Sequence, residues 1–291
     1  MVMAEGVVFD LGYTPHDGLR LGRSGTRRAL LKDGLRRVLG LRRKARRKIF
    51  PVLLVTIAVF PALFFVAFGV IAGEFDATAT LFGHSDYFDL TGSIALIFIA
   101  LASSELLIPD RIHGTMSVYS SRPLTTADYL TGRATALLVV VFGFLWLPHI
   151  ALFIGRAWVS SGGFGTYVTD NLTVIWKTAL AALAYFVSYA SVAFLIAAFS
   201  KRTSVAAGTY LGIMTLSGPI TKSSVDAGFS ALGLGALQHH PGYVKDWILD
   251  GSTRTWIPEQ AGIEPTGSLF VILIMALAVA FVVAGRYRRS V

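Results

Sequence analysis

The chain has 291 residues, of which 54% are hydrophobic and only 15% are charged. A soluble domain carries about 25% charged residues, so this composition excludes an ordinary soluble globular domain and requires apolar surface that faces lipid. The net charge of +9 is uneven, because residues 1–50 hold 13 of the 26 Lys and Arg. This distribution argues against a folded domain that binds nucleic acid. The absence of cysteine excludes disulfides and thiolate chemistry.

Residues 1–49 are predicted to form a cytoplasmic basic lead. From Arg27 to Ile49 apolar residues recur near the helical period, and most Lys and Arg fall on the other positions. This pattern favours a cationic amphipathic helix that lies on the inner leaflet of the membrane. The alternative is a solvated basic segment that only orients the first membrane span. No cleaved signal peptide is expected, because the first long apolar run begins after Lys48.

Six apolar runs are long enough to cross the hydrocarbon core, which takes about 20 residues. They lie at about 50–73, 91–109, 134–155, 178–199, 203–221 and 267–285. If the N-terminus is cytoplasmic, the outer loops contain few cations, namely Arg156, Lys177, Lys222, Lys245 and Arg254. This asymmetry follows the positive-inside rule. The sequence predicts an all-α polytopic membrane protein with six transmembrane helices at 50–285, both termini cytoplasmic and a cytoplasmic tail at 286–291.

A polar loop at 110–133 separates the second and third predicted spans. Thr115 to Ser121 can form a short helix that Pro123 ends, and Thr125 or Thr126 can cap the next helix. Asp128 would then lie in the first turn of that helix, where the helix dipole favours a carboxylate. A short rigid helix between two spans transmits force better than coil does, so the loop is interpreted as a docking surface.

This loop resembles the first cytoplasmic loop of the type 2 ABC permease family, which comprises transmembrane subunits of bacterial exporters. An acidic residue, Gly-Thr, Ser-Arg-Pro-Leu, an acidic-aromatic-aliphatic triplet and Gly-Arg follow one another in order. The residues are Asp110, Gly114, Thr115, Ser121, Arg122, Pro123, Leu124, Asp128, Tyr129, Leu130, Gly132 and Arg133. The segments Phe9–Tyr13 and Gly18–Arg23 are also similar to the opening of a bacterial subset of the family.

The resemblance implies a permease subunit of an ATP-driven exporter in the bacterial plasma (inner) membrane. Loop 110–133 would be its ATPase-coupling loop, with Arg111 beside the motif and Arg122 available for a charged contact. The implied partners are a separately encoded ABC ATPase, which would bind ATP and Mg, and a second permease subunit, either a second copy or a related chain. Membrane lipid would surround the spans. Arg133 taken alone is explained better by the positive-inside rule.

The chain is not expected to be an enzyme. The pattern Gly-x-x-x-x-Gly-Lys-Ser/Thr, which cradles nucleotide phosphates, is absent from the sequence. No catalytic residue, cofactor, metal site or nucleic-acid partner is predicted for this chain. The main alternative is a self-sufficient channel or secondary transporter, which would need intramembrane charges that the spans largely lack. A membrane anchor or assembly factor is a third class, but it leaves the polar loop unexplained.

A few polar side chains lie inside the predicted spans. Glu105 lies about one turn from the cytoplasmic end of the second span, where it could pair with Arg111, Arg133 or the ATPase, or could reach the membrane interface. His149 could line a translocation path or could hydrogen-bond a neighbouring helix. Three residues at helical spacing form a polar stripe that faces either a path or another helix. They are Tyr185, Ser188 and Tyr189.

The predicted outer loop at 222–266 is net acidic. Its segment 225–237 is apolar but too short to span, which is typical of an interfacial or re-entrant helix. The adjacent pair His239 and His240 has the wrong spacing to bind one metal from a regular helix.

Overall fold

The computed structural model describes residues 22–41, 56–57, 59–64, 67, 71, 83–115, 119, 124–251 and 255–288. Within these residues every regular element is a helix. The elements are α1 (Gly22–Val38), α2 (His84–Ile112), α3 (Thr126–Val159), α4 (Phe164–Asn171), α5 (Thr173–Phe199), α6 (Thr203–Asp226), a 3₁₀ helix (Ser230–Gly235), α7 (His239–Leu249), α8 (Ile257–Gln260) and α9 (Pro265–Arg288). The prediction of an all-α protein is therefore confirmed.

Four helices in the described part of the chain are long and apolar enough to cross a membrane: α2, α3, α5 and α9. They contain the second, third, fourth and sixth predicted spans. The fifth predicted span coincides with α6, which is long enough but is not among these four apolar helices. The first predicted span, 50–73, lies mostly outside the described residues. Four long apolar helices indicate a membrane-embedded protein, whereas the six-span topology and the position of the termini stay predictions.

Helix α5 lies at the centre of the fold and packs against α2, α3, α6, α7 and α9. Its buried face is rich in alanine, with Ala181, Ala182, Ala190, Ala193 and Ala197 each less than 5% exposed. Small side chains allow helix backbones to approach closely, and close packing is a main source of helix association in lipid. Helix α9 lies at the edge, where large apolar side chains such as Leu277 and Phe281 are exposed.

The loop predicted at 222–266 is largely helical. Helix α6 continues to Asp226, and the apolar segment 225–237 contains the 3₁₀ helix Ser230–Gly235. An interfacial or re-entrant position of this segment stays a prediction. Helix α7 follows and packs against α2, α5 and α9. The apolar side chains Phe229, Leu232 and Leu234 remain exposed beside the 3₁₀ helix. This segment thus forms a folded cap on one end of the helix bundle.

A buried cation fixes this cap to α2. The Lys245 Nζ of α7 is fully shielded from solvent and lies 2.9 Å from Asp89 Oδ1 and 2.7 Å from Asp246 Oδ1. It also donates to the Ser85 hydroxyl over 2.8 Å. Trp256 Nε1 donates to Asp246, and the Trp256 ring lies where a side chain on Gly242 would stand. A buried charge needs several polar partners, and these contacts supply them.

Candidate coupling site on the polar loop

The polar loop leaves α2 through a turn that requires glycine. The His113 N–H donates to the Pro109 carbonyl over 2.9 Å, and Gly114 then adopts φ 66°. That left-handed conformation is unfavourable for residues with a Cβ and is common after a helix end. The Thr115 hydroxyl donates to the Asp110 carbonyl over 2.8 Å, which closes the turn. Gly114 and Thr115 therefore set the direction in which the loop starts.

The loop enters α3 through a capping box. The Asp128 N–H donates to Thr125 Oγ1 over 3.2 Å, and the Thr125 N–H donates to Asp128 Oδ2 over 3.0 Å. Arg23 Nε and Arg27 Nε of α1 also donate to the Asp128 carboxylate, over 2.8 and 2.7 Å. Asp128 precedes the predicted span at 134–155, and its pKa is held well below the usual range by the Thr125 N–H and by the two arginines. The N-terminal cap of α3, formed by Thr125 and Asp128, thus joins α1 to α3.

A buried ion cluster lies behind the N-terminal cap of α3. Asp110, only 2% exposed, accepts hydrogen bonds from Arg133 Nη2 at 2.6 Å, Arg37 Nη1 at 2.7 Å and the Tyr129 hydroxyl at 3.0 Å. Arg133 is completely buried and reaches Asp33 with its other terminal nitrogen over 2.9 Å. Asp33 also pairs with Arg37. We call this group the Asp110 cluster; its members are Asp33, Arg37, Asp110, Tyr119, Tyr129 and Arg133.

Charge balance makes this cluster tolerable in a buried position. Two carboxylates face two guanidinium groups, and charge-assisted hydrogen bonds compensate for part of the lost hydration. The Tyr119 hydroxyl lies 3.3 Å from Arg133 Nη2, and the Tyr119 ring packs against Tyr129. The positive-inside reading of Arg133 therefore misses its main contacts, because this side chain is an interior bridge between α1 and the start of the loop.

Helix α1 lies in direct contact with α3. Leu30, Gly34 and Val38 form its buried face. A Cβ on Gly34 would lie 2.6 Å from Ala136 Cβ, and a Cβ on Gly132 would lie 2.8 Å from Leu30 Cδ2. The predicted amphipathic segment at 27–49 is helical only to Val38 within the described residues, and residues 42–49 lie outside them. One face of the helix is thus covered by protein, in addition to any membrane contact.

Arg111 joins the same region to α5. Its two terminal nitrogens donate to the carbonyl oxygens of Ala198 and Ser200, at the end of α5. These carbonyls have no helical N–H partner beyond the helix end, and a cation there also complements the helix dipole. The start of the polar loop is therefore attached to α1, α3 and α5 by side-chain contacts.

Part of the predicted docking surface lies outside the described residues, namely Ser121, Arg122 and Pro123. Leu124, which follows them, is half-buried, and Tyr129 is buried. A polar cleft of about 440 Å³ opens beside the described part of the loop. Its lining includes Arg36 and Arg37 of α1 and Pro109, His113 and Thr115 of the loop region. This cleft is the accessible face of the candidate site.

The residues considered for a translocation path are buried between helices. His149 stacks on Phe88 with ring centroids 3.9 Å apart, and its Nδ1 lies 3.2 Å from His84 Nδ1. Tyr185 packs over Gly92, where a Cβ would lie 2.6 Å from the Tyr185 ring. The Ser188 hydroxyl lies 3.5 Å from the Leu237 carbonyl.

Tyr185 and Tyr189 also line a small polar cavity of about 110 Å³ under the cap, together with Asp89, Ser93, Gln238, His239 and Trp256. A translocation path along this stripe stays a prediction. Glu105 is half-buried, and its role also stays a prediction.

The adjacent histidines of the cap have separate surroundings. His240 Nε2 donates to the Leu234 carbonyl over 3.1 Å, so Nδ1, which lies 3.0 Å from Ser268 Oγ, accepts from that hydroxyl in the neutral ring. Burial lowers the pKa of His240, which favours this neutral form. His239 instead packs edge-on against Trp256 and over Gly218. The two rings therefore support the cap in different contacts.

A comparison with models of protein families found no family that matches this chain, and a search of curated proteins found no matching relative.

Proposed function

We propose that this chain is the transmembrane permease subunit of an ATP-driven type 2 ABC exporter in a bacterial plasma membrane. In this proposal the chain crosses the membrane six times and both termini are cytoplasmic. A separate ABC ATPase binds loop 110–133 and exerts force on it. A second permease subunit completes the transporter. ATP and Mg belong to the ATPase, and this chain supplies the path and the coupling surface.

The observation that carries the proposal is the attachment of the polar loop to three helices. Asp110 is held by Arg37 and Arg133, Asp128 by Arg23 and Arg27, and Arg111 by the end of α5. A force on a loop held in this way reaches the apolar helices through charge-assisted contacts, whereas a flexible loop would absorb it.

We propose different roles for the buried and the intervening residues of the loop. The buried members of the Asp110 cluster hold the loop in place, so they are positioning residues. The segment 116–123, of which the structure describes only Tyr119, carries Arg122 and connects Thr115 to Leu124. We propose that this segment, together with the neighbouring polar cleft, contacts the ATPase, because its ends are fixed and its residues match the family pattern.

The test is a mild-detergent purification of the tagged chain from native membranes, followed by identification of stoichiometric partners and an ATPase assay. We expect an ABC ATPase to be recovered with the wild-type chain and to be lost from Arg122→Glu. Lys201→Glu is the matched control, because Lys201 is an exposed cation outside the loop, between α5 and α6. A chain that is purified alone, without ATPase activity, would instead favour a channel or secondary transporter.

A further inference from the structure

A long apolar groove runs along helices α5 and α9. Its first part is a cavity of about 600 Å³ bordered by Leu183 and Val187 of α5 and by α7 and α9, and its second is a cavity of about 260 Å³ between α3, α5 and α9. The two parts share Val187. From Leu180 to Phe194 the lining residues of α5 recur at intervals of three and four, so they form one stripe on one helix face.

The same spacing continues on α9. Leu269, Ile272 and Leu273 line the first part, and Ala276, Val279, Ala280 and Val283 line the second. At about 1.5 Å per residue, the α5 stripe from Lys177 to Phe194 is about 25 Å long, which is most of the hydrocarbon thickness of about 30 Å. The groove therefore runs for most of a hydrocarbon thickness along two of the four apolar helices.

The charged residues that line the groove are all at one end. Lys177 and Asp250 form an ion pair at the mouth of the first part, beside Trp247. Their side chains are 35% and 75% exposed, so a ligand can contact both charges. A tryptophan beside a charged pair at the end of an apolar helix is typical of the membrane interface. The groove thus has an apolar lining along its length and one anionic and one cationic group at its mouth.

We propose that this groove binds a phospholipid with a zwitterionic, primary-amine headgroup of the phosphoethanolamine type. An acyl chain lies along α5 and α9, the phosphate contacts Lys177, and the ammonium group donates to Asp250. An anionic headgroup without an amine would meet Lys177 favourably but would be repelled by Asp250. A primary ammonium offers three hydrogen-bond donors to the carboxylate, which a quaternary amine lacks. The site does not depend on the proposed exporter function; the proposed topology only assigns the headgroup to the outer leaflet.

The binding test uses the full-length chain in nanodiscs that contain a phosphoethanolamine lipid with a photoreactive acyl chain. After irradiation, cross-linked peptides are mapped by mass spectrometry. We expect adducts to concentrate on the groove residues of 180–194 and 269–283. Unlabelled phosphoethanolamine lipid should compete about tenfold better than phosphatidylglycerol, because only the former satisfies both charges.

Two alanines of α9 provide a matched pair of variants. Ala280 lines the groove, whereas Ala278 is exposed but lies outside the lining. Ala280→Trp should fill the second part and reduce groove adducts by about tenfold, while Ala278→Trp should leave them unchanged. Asp250→Asn should abolish the preference for the amine headgroup; Asn tolerates the left-handed backbone of position 250, where φ is 51°, so the variant changes charge without backbone strain.

Three outcomes would overturn the proposal. Adducts spread equally over the exposed face of α9, including Leu277 and Phe281, would indicate ordinary boundary lipid. Equal competition by both headgroups would show that Lys177 and Asp250 do not select the headgroup. Efficient disulfide formation between two copies of a Ser191→Cys chain would show that a second subunit covers the groove. In each experiment a monodisperse chain with unchanged thermal unfolding serves as the control for folding.

Discussion

Arg133 Nη2 lies 2.6 Å from Asp110 Oδ2, and both side chains are almost completely shielded from solvent. The pair connects the last turns of α2 to the first turns of α3 across the polar loop. Removal of one member leaves the other as a buried charge with fewer partners, so breaking such a pair is far more destructive than replacing both members. This relationship makes the Asp110 cluster the most sensitive part of the proposed coupling site.

Asp110→Ala should therefore destabilise the protein strongly. We expect a loss of about 3–5 kcal/mol in the free energy of unfolding, because Arg133 and Arg37 lose their shared carboxylate. The matched control is Asp226→Ala, which removes an exposed (i, i+4) partner of Lys222 and should cost only about 0.3–0.5 kcal/mol. Thermal unfolding in detergent would measure both variants. Similar midpoints for the two would contradict a structural role for the Asp110 cluster.

The contact between α1 and α3 predicts a specific disulfide. A Cβ on Gly132 would lie 3.9 Å from Leu30 Cβ, which is within the range that disulfides require. The natural chain contains no cysteine, so the double variant Leu30→Cys/Gly132→Cys has only one possible intramolecular bridge. Mild oxidation should form it in high yield, detected by mass spectrometry of the linked peptides. Leu31→Cys/Gly132→Cys, with one cysteine moved to the next residue, should react poorly; equal yields would argue that α1 does not dock as described.

Close packing at Gly34 predicts a second effect on the same contact. Gly34→Val would drive a branched side chain into Ala136, because even a Cβ would lie only 2.6 Å from Ala136 Cβ. We expect overpacking to cost about 1–3 kcal/mol and to expose α1 to limited proteolysis. Gly208→Val is the control, since no atom lies within 4 Å of a Cβ at that helical position. Equal protease resistance in the two variants would contradict the packed contact.

The contacts of Asp128 at the N-terminus of α3 predict that α1 detaches from α3 at acidic pH. The pKa of Asp128 is lowered by the Thr125 N–H and by Arg27 and Arg23. Its stabilising contribution is therefore complete above the unfolded-state value of about 3.9 and is lost as pH falls through the lower folded-state pKa.

Spin labels at Lys32→Cys and Thr135→Cys, two exposed positions on α1 and α3, would report this change. The distance distribution should stay narrow from neutral pH to about pH 4 and broaden as the pH falls further toward the lower folded-state pKa. In Asp128→Asn it should already be broad at neutral pH. A distribution in that variant as narrow as in the parent would show that the cap does not hold α1.

The buried Lys245 should stabilise the folded cap that α7 forms on the helix bundle. Lys245→Met would leave Asp89 and Asp246 without their cation, so we expect faster amide hydrogen exchange throughout α7 and a loss of about 3–5 kcal/mol. Lys222→Met, which removes an exposed cation, should leave exchange in α7 unchanged. Unchanged exchange in both variants would show that other contacts hold α7 in place.

Local features of the chain were predictable because their signals lie within short segments. Apolar length located the C-terminal ends of α2, α3, α5 and α9 within a few residues, whereas α2, α3 and α5 begin earlier than predicted. Thr125, one of the two predicted cap residues, caps α3, and Asp128 lies in its first turn as predicted. The helical 222–266 region was harder to predict. Short helices such as α7 carry weak periodicity, and their stability comes from packing against α2, α5 and α9.

The sequence by itself determined a helical membrane protein with a basic lead and a polar loop, because hydropathy, helical period and capping are properties of neighbouring residues. Only the tertiary structure decided that Arg133 bridges Asp110 and Asp33, the latter 100 residues away in the chain. It also decided that α5 and α9 align their apolar stripes into one groove. Such pairings depend on how helices approach one another in space. The type of a residue, such as a charged residue or an alanine, does not show which distant residue it will contact.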